Sequence, residues 1–375
     1  VRPRARDLGI PLRGTPGPRN ALTDVPGVEV GWVTLIDGEG PLRVGHGPVR
    51  TGVTAILPRG RAGVGDACAA GFFSLNGNGE MTGTAWIEET GSLSLPVLIT
   101  NTHAVGTAHR GAIDWIVREH PALADEWLLP VVAETWDGYL NDINGPHVRP
   151  EHAVAAIDAA TTGPVAEGSV GGGTGMNCYS FKGGNGTASR VVRYGQDEHV
   201  VAAFVQANFG SRHELTVAGV PAGTLLDVPN PMDETDWLAP AGSGSVIAVV
   251  ATNAPLLPGQ CKALARRVPL GLARTGTSGS HFSGDLFLAF STANSGALAS
   301  GFPHGELVDA VYDELRFVPW GRMDPYYEAT VLAVEEAVLN ALAAATDMVG
   351  RDDHLSPALP HDALRDLLAS HGKLT

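Results

Sequence analysis

Ala241-Gly242-Ser243-Gly244-Ser245 runs directly into Val246-Ile247-Ala248-Val249-Val250. The second half is apolar at every position and rich in β-branched side chains, the pattern of a strand covered on both faces rather than one. The first half is the opposite, five small residues at the entrance to a rigid core strand. Two readings fit it. One is a turn that feeds a strand. The other is a bond that cuts itself: Gly244 has no side chain to shield its carbonyl, so a neighbouring hydroxyl can reach it. Attack by the Ser245 hydroxyl turns the Gly244–Ser245 peptide into an ester, and hydrolysis of that ester leaves Ser245 as a new N-terminus. A free α-amine titrates at about 8 and can act as general base for the hydroxyl of its own residue. No separate His–Asp pair is then needed.

Working outward, short β-branched or apolar runs bounded by Gly, Pro or Asn predict strands over 28–35, 51–57, 95–100, 129–134, 189–194, 199–207, 246–251 and 285–291. Helices are predicted over 104–120, where Ala108, Ala112, Trp115 and Ile116 share a face, and over 259–275, 306–316 and 325–348. The last has Asp324 as N-cap, Pro325 in the first turn and Gly350 to close it. Its Ala, Val and Leu content is nearly all-round, which predicts burial between layers. Residues 1–26, rich in Pro, Gly and Arg, read as an extended arm. Strands cluster with helices between them, without the regular alternation of a doubly wound sheet, so the expectation is mixed α and β in several layers.

Composition narrows the function. The chain has 375 residues, 48 of them Gly, and a formal net charge of −15. That charge argues against nucleic acid as a partner, since phosphates need a basic patch. There is no apolar run of 18 residues, so no membrane span is expected. Cys68, Cys178 and Cys261 are too few for a disulfide framework and suggest a reduced, cytoplasmic protein, with a periplasmic one left open if a signal has been removed. The hydrolase motif G-x-S-x-G, the nucleotide motifs G-x-G-x-x-G and G-x-x-x-x-G-K-[ST], and the metalloprotease motif H-E-x-x-H are all missing. Gly171-Gly172-Gly173-Thr174-Gly175 lacks the Lys of a phosphate cradle and reads as a close-packed turn. Neither metal nor cofactor is expected.

A second polar cluster opens the strand at 285–291: His281-Phe282-Ser283-Gly284-Asp285. Ser283 and Asp285 are two apart and face the same side of an extended chain. They are either a capped turn or a hydroxyl–carboxylate pair able to hold a protonated Ser245 amine.

Several further stretches, taken in order, resemble one family. They include Pro18-Arg19-Asn20-Ala21-Leu22-Thr23-Asp24-Val25-Pro26-Gly27, Leu75-Asn76-Gly77-Asn78-Gly79-Glu80-Met81-Thr82-Gly83 and Glu134-Thr135-Trp136-Asp137-Gly138, with others at 47–56, 99–103, 171–176 and 205–208. Together they span essentially the whole chain. The sequence is similar to the self-processing serine aminopeptidases, the family of the L-aminopeptidase/D-Ala-esterase/amidase and the β-peptidyl aminopeptidases. The resemblance implies an α+β fold, a four-layer αββα sandwich like that of N-terminal-nucleophile hydrolases but differently connected. It implies one domain over 1–375, cut into 1–244 and 245–375, and a homotetramer of the processed pairs. It makes Ser245 the nucleophile, Ser283 and Asp285 its support, Asn208 the oxyanion donor and Glu134 the acid that binds a substrate amine. Trp136 stands where some members carry a Tyr as extra oxyanion donor, with Tyr139 as the alternative. Met81, Trp86 and Trp136 are candidates for the pocket wall.

The function expected is release of one N-terminal α- or β-amino acid from short peptides, amides or esters through an acyl-enzyme on Ser245. The competing reading is acyl transfer to an amine, as in the ornithine acetyltransferases, which resemble this scaffold but carry Thr at the cleaved bond. A non-catalytic scaffold is a third, against which Ser245, Ser283, Asp285 and Asn208 occur together.

Overall fold

The computed structural model describes residues 2–234, 244–303 and 305–374. Ala241, Gly242 and Ser243 of the opening stretch therefore lie outside the described residues. In chain order the elements are β1 (Glu29–Asp37), β2 (Val49–Leu57), β3 (Cys68–Ser74), α1 (Thr84–Thr90), β4 (Ser92–Leu93), β5 (Val97–Asn101), α2 (Val105–Glu119) and β6 (Val131–Thr135). They continue with α3 (Pro150–Asp158), β7 (Asn177–Cys178), β8 (Phe181–Lys182), β9 (Gly184–Tyr194), β10 (Asp197–Asn208), α4 (Ala222–Leu225) and β11 (Gly244–Thr252). The last are α5 (Pro258–Ala265), α6 (Val268–Ala273), β12 (Ser283–Ser291), α7 (Asp324–Ala344), β13 (Met348–Val349), β14 (Leu355–Ser356) and α8 (His361–Ser370).

Two sheets form the middle of the molecule. One is four-stranded in the order β1-β2-β5-β6; the other is six-stranded in the order β4-β3-β12-β11-β10-β9. Strand alternation explains how they stack. Along β11, Ile247, Val249 and Ala251 join Leu286, Leu288 and Phe290 of β12 and Ile56, Ile99 and Ala133 of the smaller sheet in one core between the sheets. The intervening Val246, Ala248 and Val250 face the other way, into a core shared with α5, α6 and α7. The smaller sheet turns Val53, Ala55 and Leu98 outward onto α2 and α3. The result is four layers, α2/α3, four-stranded sheet, six-stranded sheet and α5–α7: the αββα sandwich. The all-apolar run at 246–250 is thus a strand between two layers, paired antiparallel to β10 and parallel to β12.

Helix α7 packs on β9 and β10. The contact is close enough that a Cβ on Gly186 of β9 would lie 1.9 Å from the Ala337 carbonyl oxygen. The N-terminal arm reaches the same helix, which accounts for apolar residues on more than one of its faces. Ala5, Leu8 and Ile10 join the helix core, and Arg6 makes a bidentate ion pair to the buried Glu336, with both contacts at 2.8 Å.

All eight predicted strands form. The helix expected over 259–275 is two, α5 and α6, because Pro269 has no N–H to donate to the Ala265 carbonyl. The helix expected over 325–348 ends at Ala344; Asp324 is its first residue rather than its cap, and Gly350 follows the strand β13 instead of closing the helix. The helix expected over 306–316 does not form. That stretch is non-helical and solvent-exposed, with Leu307, Val308, Val311 and Tyr312 all uncovered. A short amphipathic helix without a surface to pack on is marginal. No described helix is long and apolar enough to cross a membrane, and Cys68, Cys178 and Cys261 are all free and buried.

Candidate active site

The heads of β11 and β12 and the end of β10, three adjacent inner strands, come together at one end of the larger sheet. Ser245 is paired directly opposite Asn208 across the β10–β11 ladder. Opposed residues of an antiparallel pair project to the same face, and alternation from Ile247 puts that face between the sheets. Both are buried, Ser245 at 2 % and Asn208 at 5 % exposure. The Asn208 carboxamide is fixed at both ends. Its Oδ1 accepts from the Asn177 backbone N–H at 2.8 Å and its Nδ2 donates to the Trp136 carbonyl at 2.9 Å. An amide nitrogen carries two hydrogens, so one donor remains.

On the other side of β11 the parallel register sets Gly244 beside Ser283 and Val246 beside Asp285. The Ser283 hydroxyl donates to Asp285 Oδ1 at 2.5 Å, so the two do share a face as their spacing predicts. By alternation this is the face of Phe287, opposite to that of the Ser245 side chain. The pair therefore lies on the opposite face of the sheet from the Ser245 hydroxyl, beside Gly244 and Val246 of β11. Asn76 holds Asp285 from the neighbouring loop: its Nδ2 donates to Oδ2 at 2.9 Å, and its Oδ1 accepts from the Asp285 N–H at 2.6 Å. Burial raises the Asp285 carboxyl above the ordinary range, against the Ser283 and Asn76 hydrogen bonds that lower it. Among the described residues no arginine or lysine enters this balance.

Glu134 sits near the end of β6 and is 2 % exposed. One oxygen accepts from the Glu80 backbone N–H at 2.9 Å and the other from the Thr102 hydroxyl. Burial pushes its pKa up, and these two hydrogen bonds only partly oppose it. Two glycines join it to β12, the parallel neighbour of β11. A Cβ on Gly284 would fall 2.7 Å from the Gly79 Cα, and one on Gly79 would fall 3.1 Å from Glu134 Oε1. Any side chain at either position would separate Glu134 from the head of β12.

Trp136 meets the site through its carbonyl, and the residue as a whole is 36 % exposed. Tyr139 is turned elsewhere, donating its hydroxyl to the Leu355 carbonyl at 3.2 Å and stacking on His354. Of the wall candidates, Met81 is buried in the core between the sheets and Trp86 is exposed on α1. Among the described residues no group of three or more His, Cys, Asp or Glu is placed to hold a metal ion. Asn76, Thr102 and Asn177 have supporting contacts that the sequence reading does not assign. Asn76 stands inside a stretch that carries the family resemblance, so its place was legible but its partner was not.

Residues 20–356 match the sequence profile of peptidase family S58. The β-peptidyl aminopeptidase BapA of Sphingosinicella microcystinivorans is 48 % identical over 382 residues, covering 99 % of this chain and 93 % of that protein. Among solved structures, the L-aminopeptidase D-Ala-esterase/amidase of Ochrobactrum anthropi superposes with a TM-score of 0.90 at 46 % identity over 100 % of both chains. It is described as a prototype of the serine aminopeptidases and a variant of the N-terminal-nucleophile hydrolase fold. A β-aminopeptidase of a Burkholderia species gives 0.88 at 45 % identity over 99 % of each chain. With the four-layer fold, these matches place the chain in peptidase family S58, as an aminopeptidase with the N-terminal-nucleophile hydrolase fold.

Proposed function

We propose that the chain cuts itself between Gly244 and Ser245, and that the two products, 1–244 and 245–375, stay together in one sandwich as the working enzyme. The reading rests on one observation: Ser245, at the head of β11, lies directly opposite Asn208 and beside the start of β12, where Ser283 and Asp285 stand. The ladders support continued association, because β11 and β12 of the second product pair with β10 and β3 of the first. In self-cleavage the Ser245 hydroxyl adds to the Gly244 carbonyl and the C–N bond breaks. Water then releases the Gly244 carboxylate and leaves a free Ser245 amine.

In turnover that amine takes the proton of its own hydroxyl as the oxygen attacks the substrate carbonyl. Ser283 and Asp285 hold the protonated amine, and the spare Asn208 N–H receives the oxyanion. A donor of that kind is typically worth about 10²–10³ in rate. The proton then passes to the leaving amine or alcohol, and water hydrolyses the acyl-Ser245 ester. Glu134 binds the free amine of the substrate, which restricts cleavage to the first residue. The substrates are short peptides, amides or esters that begin with an α- or β-amino acid. The relatives support both kinds, being named for β-peptidyl and for L-amino acid and D-Ala substrates.

The processed enzyme is proposed to be a homotetramer. The apolar side chains left uncovered around residues 307–312, with Val308 at 90 % exposure, support association of copies. Intact mass tests the processing. The native chain should give species of 244 and 131 residues, while Ser245→Ala should stay at 375 and be inactive. A processed or active Ser245→Ala protein would overturn the reading. Light scattering of the same native sample at the mass of one processed pair would overturn the tetramer.

A further inference from the structure

Behind the oxyanion residue lies a buried charge that the mechanism above does not use. Lys182, in β8, is 0 % exposed. Its Nζ donates to the Met176 carbonyl at 2.7 Å and the Gly183 carbonyl at 3.0 Å, with a longer contact to the Gly173 carbonyl at 3.5 Å. Among the described residues no carboxylate lies within ion-pair distance of it. Burial draws the ammonium down to about 7. Its three partners are all acceptors, however, which matches the three N–H groups of an ammonium and offers nothing to an amine lone pair. Burying an unpaired charge is costly, and an apolar side chain of similar volume would fill the space without that cost.

The Met176 carbonyl and the Asn177 N–H belong to one peptide group. Lys182 grips the oxygen of that group, and its N–H donates to Asn208 Oδ1. The Asn177 side chain is tied down separately by the Ser356 hydroxyl at 2.5 Å. Hydrogen bonds from a charged donor are roughly twice as strong as neutral ones, and bonds in series polarise one another.

We propose that Lys182 is a positioning residue for the oxyanion site: through the Met176–Asn177 peptide its charge orients and polarises the Asn208 carboxamide, so that the free Nδ2 hydrogen is a stronger donor at Ser245. This rests on Asn208 being the oxyanion donor. The polarity is consistent along the chain, ammonium to carbonyl, N–H to Oδ1, Nδ2–H to oxyanion, with each donor facing an acceptor.

A double-mutant cycle tests it on chains brought to complete processing, with an aminoacyl p-nitroanilide as substrate. Lys182→Met should lower kcat about tenfold with KM within twofold, and Lys182→Arg should recover most of the loss. In an Asn208→Ala background, Lys182→Met should have no further effect. If Lys182→Met yields no folded chain, Lys182→Gln replaces it, keeping a donor but not the charge, and is held to the same outcomes. An unchanged kcat, or the same loss in both backgrounds, overturns the inference while leaving Asn208 in place. An unchanged kcat in Asn208→Ala alone overturns the oxyanion reading and this inference with it.

Discussion

Glu336 and Asp285 are both buried carboxylates, one under the N-terminal arm on α7, the other at the head of β12, and their surroundings push them in opposite directions. Burial alone would raise Glu336, but the Arg6 hydrogen bond and the charges of Arg190 and Arg6 hold it below its usual value. Arg190, 2 % exposed, meets it at 2.6 Å. Asp285 is raised, because burial acts on it and only neutral donors oppose. Glu134 follows Asp285. The arm ties its charge to arginine and makes it inert. The site leaves its acids with hydroxyls and amides, able to take a cation when one arrives. That is the expectation for acids whose partner is a substrate amine or a freshly released N-terminus.

The comparison can be broken in three places. Asp285→Asn should cost the most activity, about 10²–10⁴ in kcat, because the Ser245 amine that acts as general base loses the carboxylate that holds its protonated form. The melting temperature should hold or rise, because an acid with a raised pKa weighs against the fold when ionised. A large drop in melting temperature with kcat intact would make Asp285 structural after all. Glu336→Gln should do the reverse. It leaves Arg190 buried without its partner and should cost about 3–5 kcal/mol of stability by urea unfolding, with kcat of the folded enzyme unchanged. In the native enzyme the lowered pKa of Glu336 has a matching signature: its contribution is full above the ordinary glutamate range and is lost as the pH falls through the depressed value. The smallest effect belongs to Glu134. Its raised pKa means that it gains a proton before an ordinary glutamate as the pH falls. KM for an aminoacyl substrate should therefore begin to rise at a pH above the ordinary glutamate range, with kcat less affected. A KM flat down to that range would argue against Glu134 as the amine anchor.

How much was legible beforehand depended on whether the signal was local. The eight strands were, because β-branched apolar runs between Gly and Pro need no partner to be recognised. Ser283 and Asp285 were placed on one face by their spacing. Strand β3 was missed, although Cys68-Ala69-Ala70-Gly71-Phe72-Phe73-Ser74 is mostly apolar, and α1, α3 and α8 were missed with it. The stretch at 306–316 misled: its apolar spacing suits a helix, but nothing among the described residues covers it. Asn208 and Glu134 were identified by resemblance alone, since an Asn after a strand and a Glu at a strand end are ordinary on their own.

By itself the sequence determined the strand at 246–250, the small unshielded Gly244–Ser245 bond before it, and the family. Each of these is carried by adjacent residues, and whether a side chain shields a peptide carbonyl is set by the residue that bears it. Only the tertiary structure decided which side chains share the site. The antiparallel register sets Asn208 against Ser245 although they are 37 positions apart, the parallel register brings in Ser283, and the Gly79–Gly284 contact draws Glu134 close. Strand pairing depends on packing between distant segments, which adjacent residues do not encode. For the same reason the full burial of Lys182 behind Asn208 could not be read before the chain was folded.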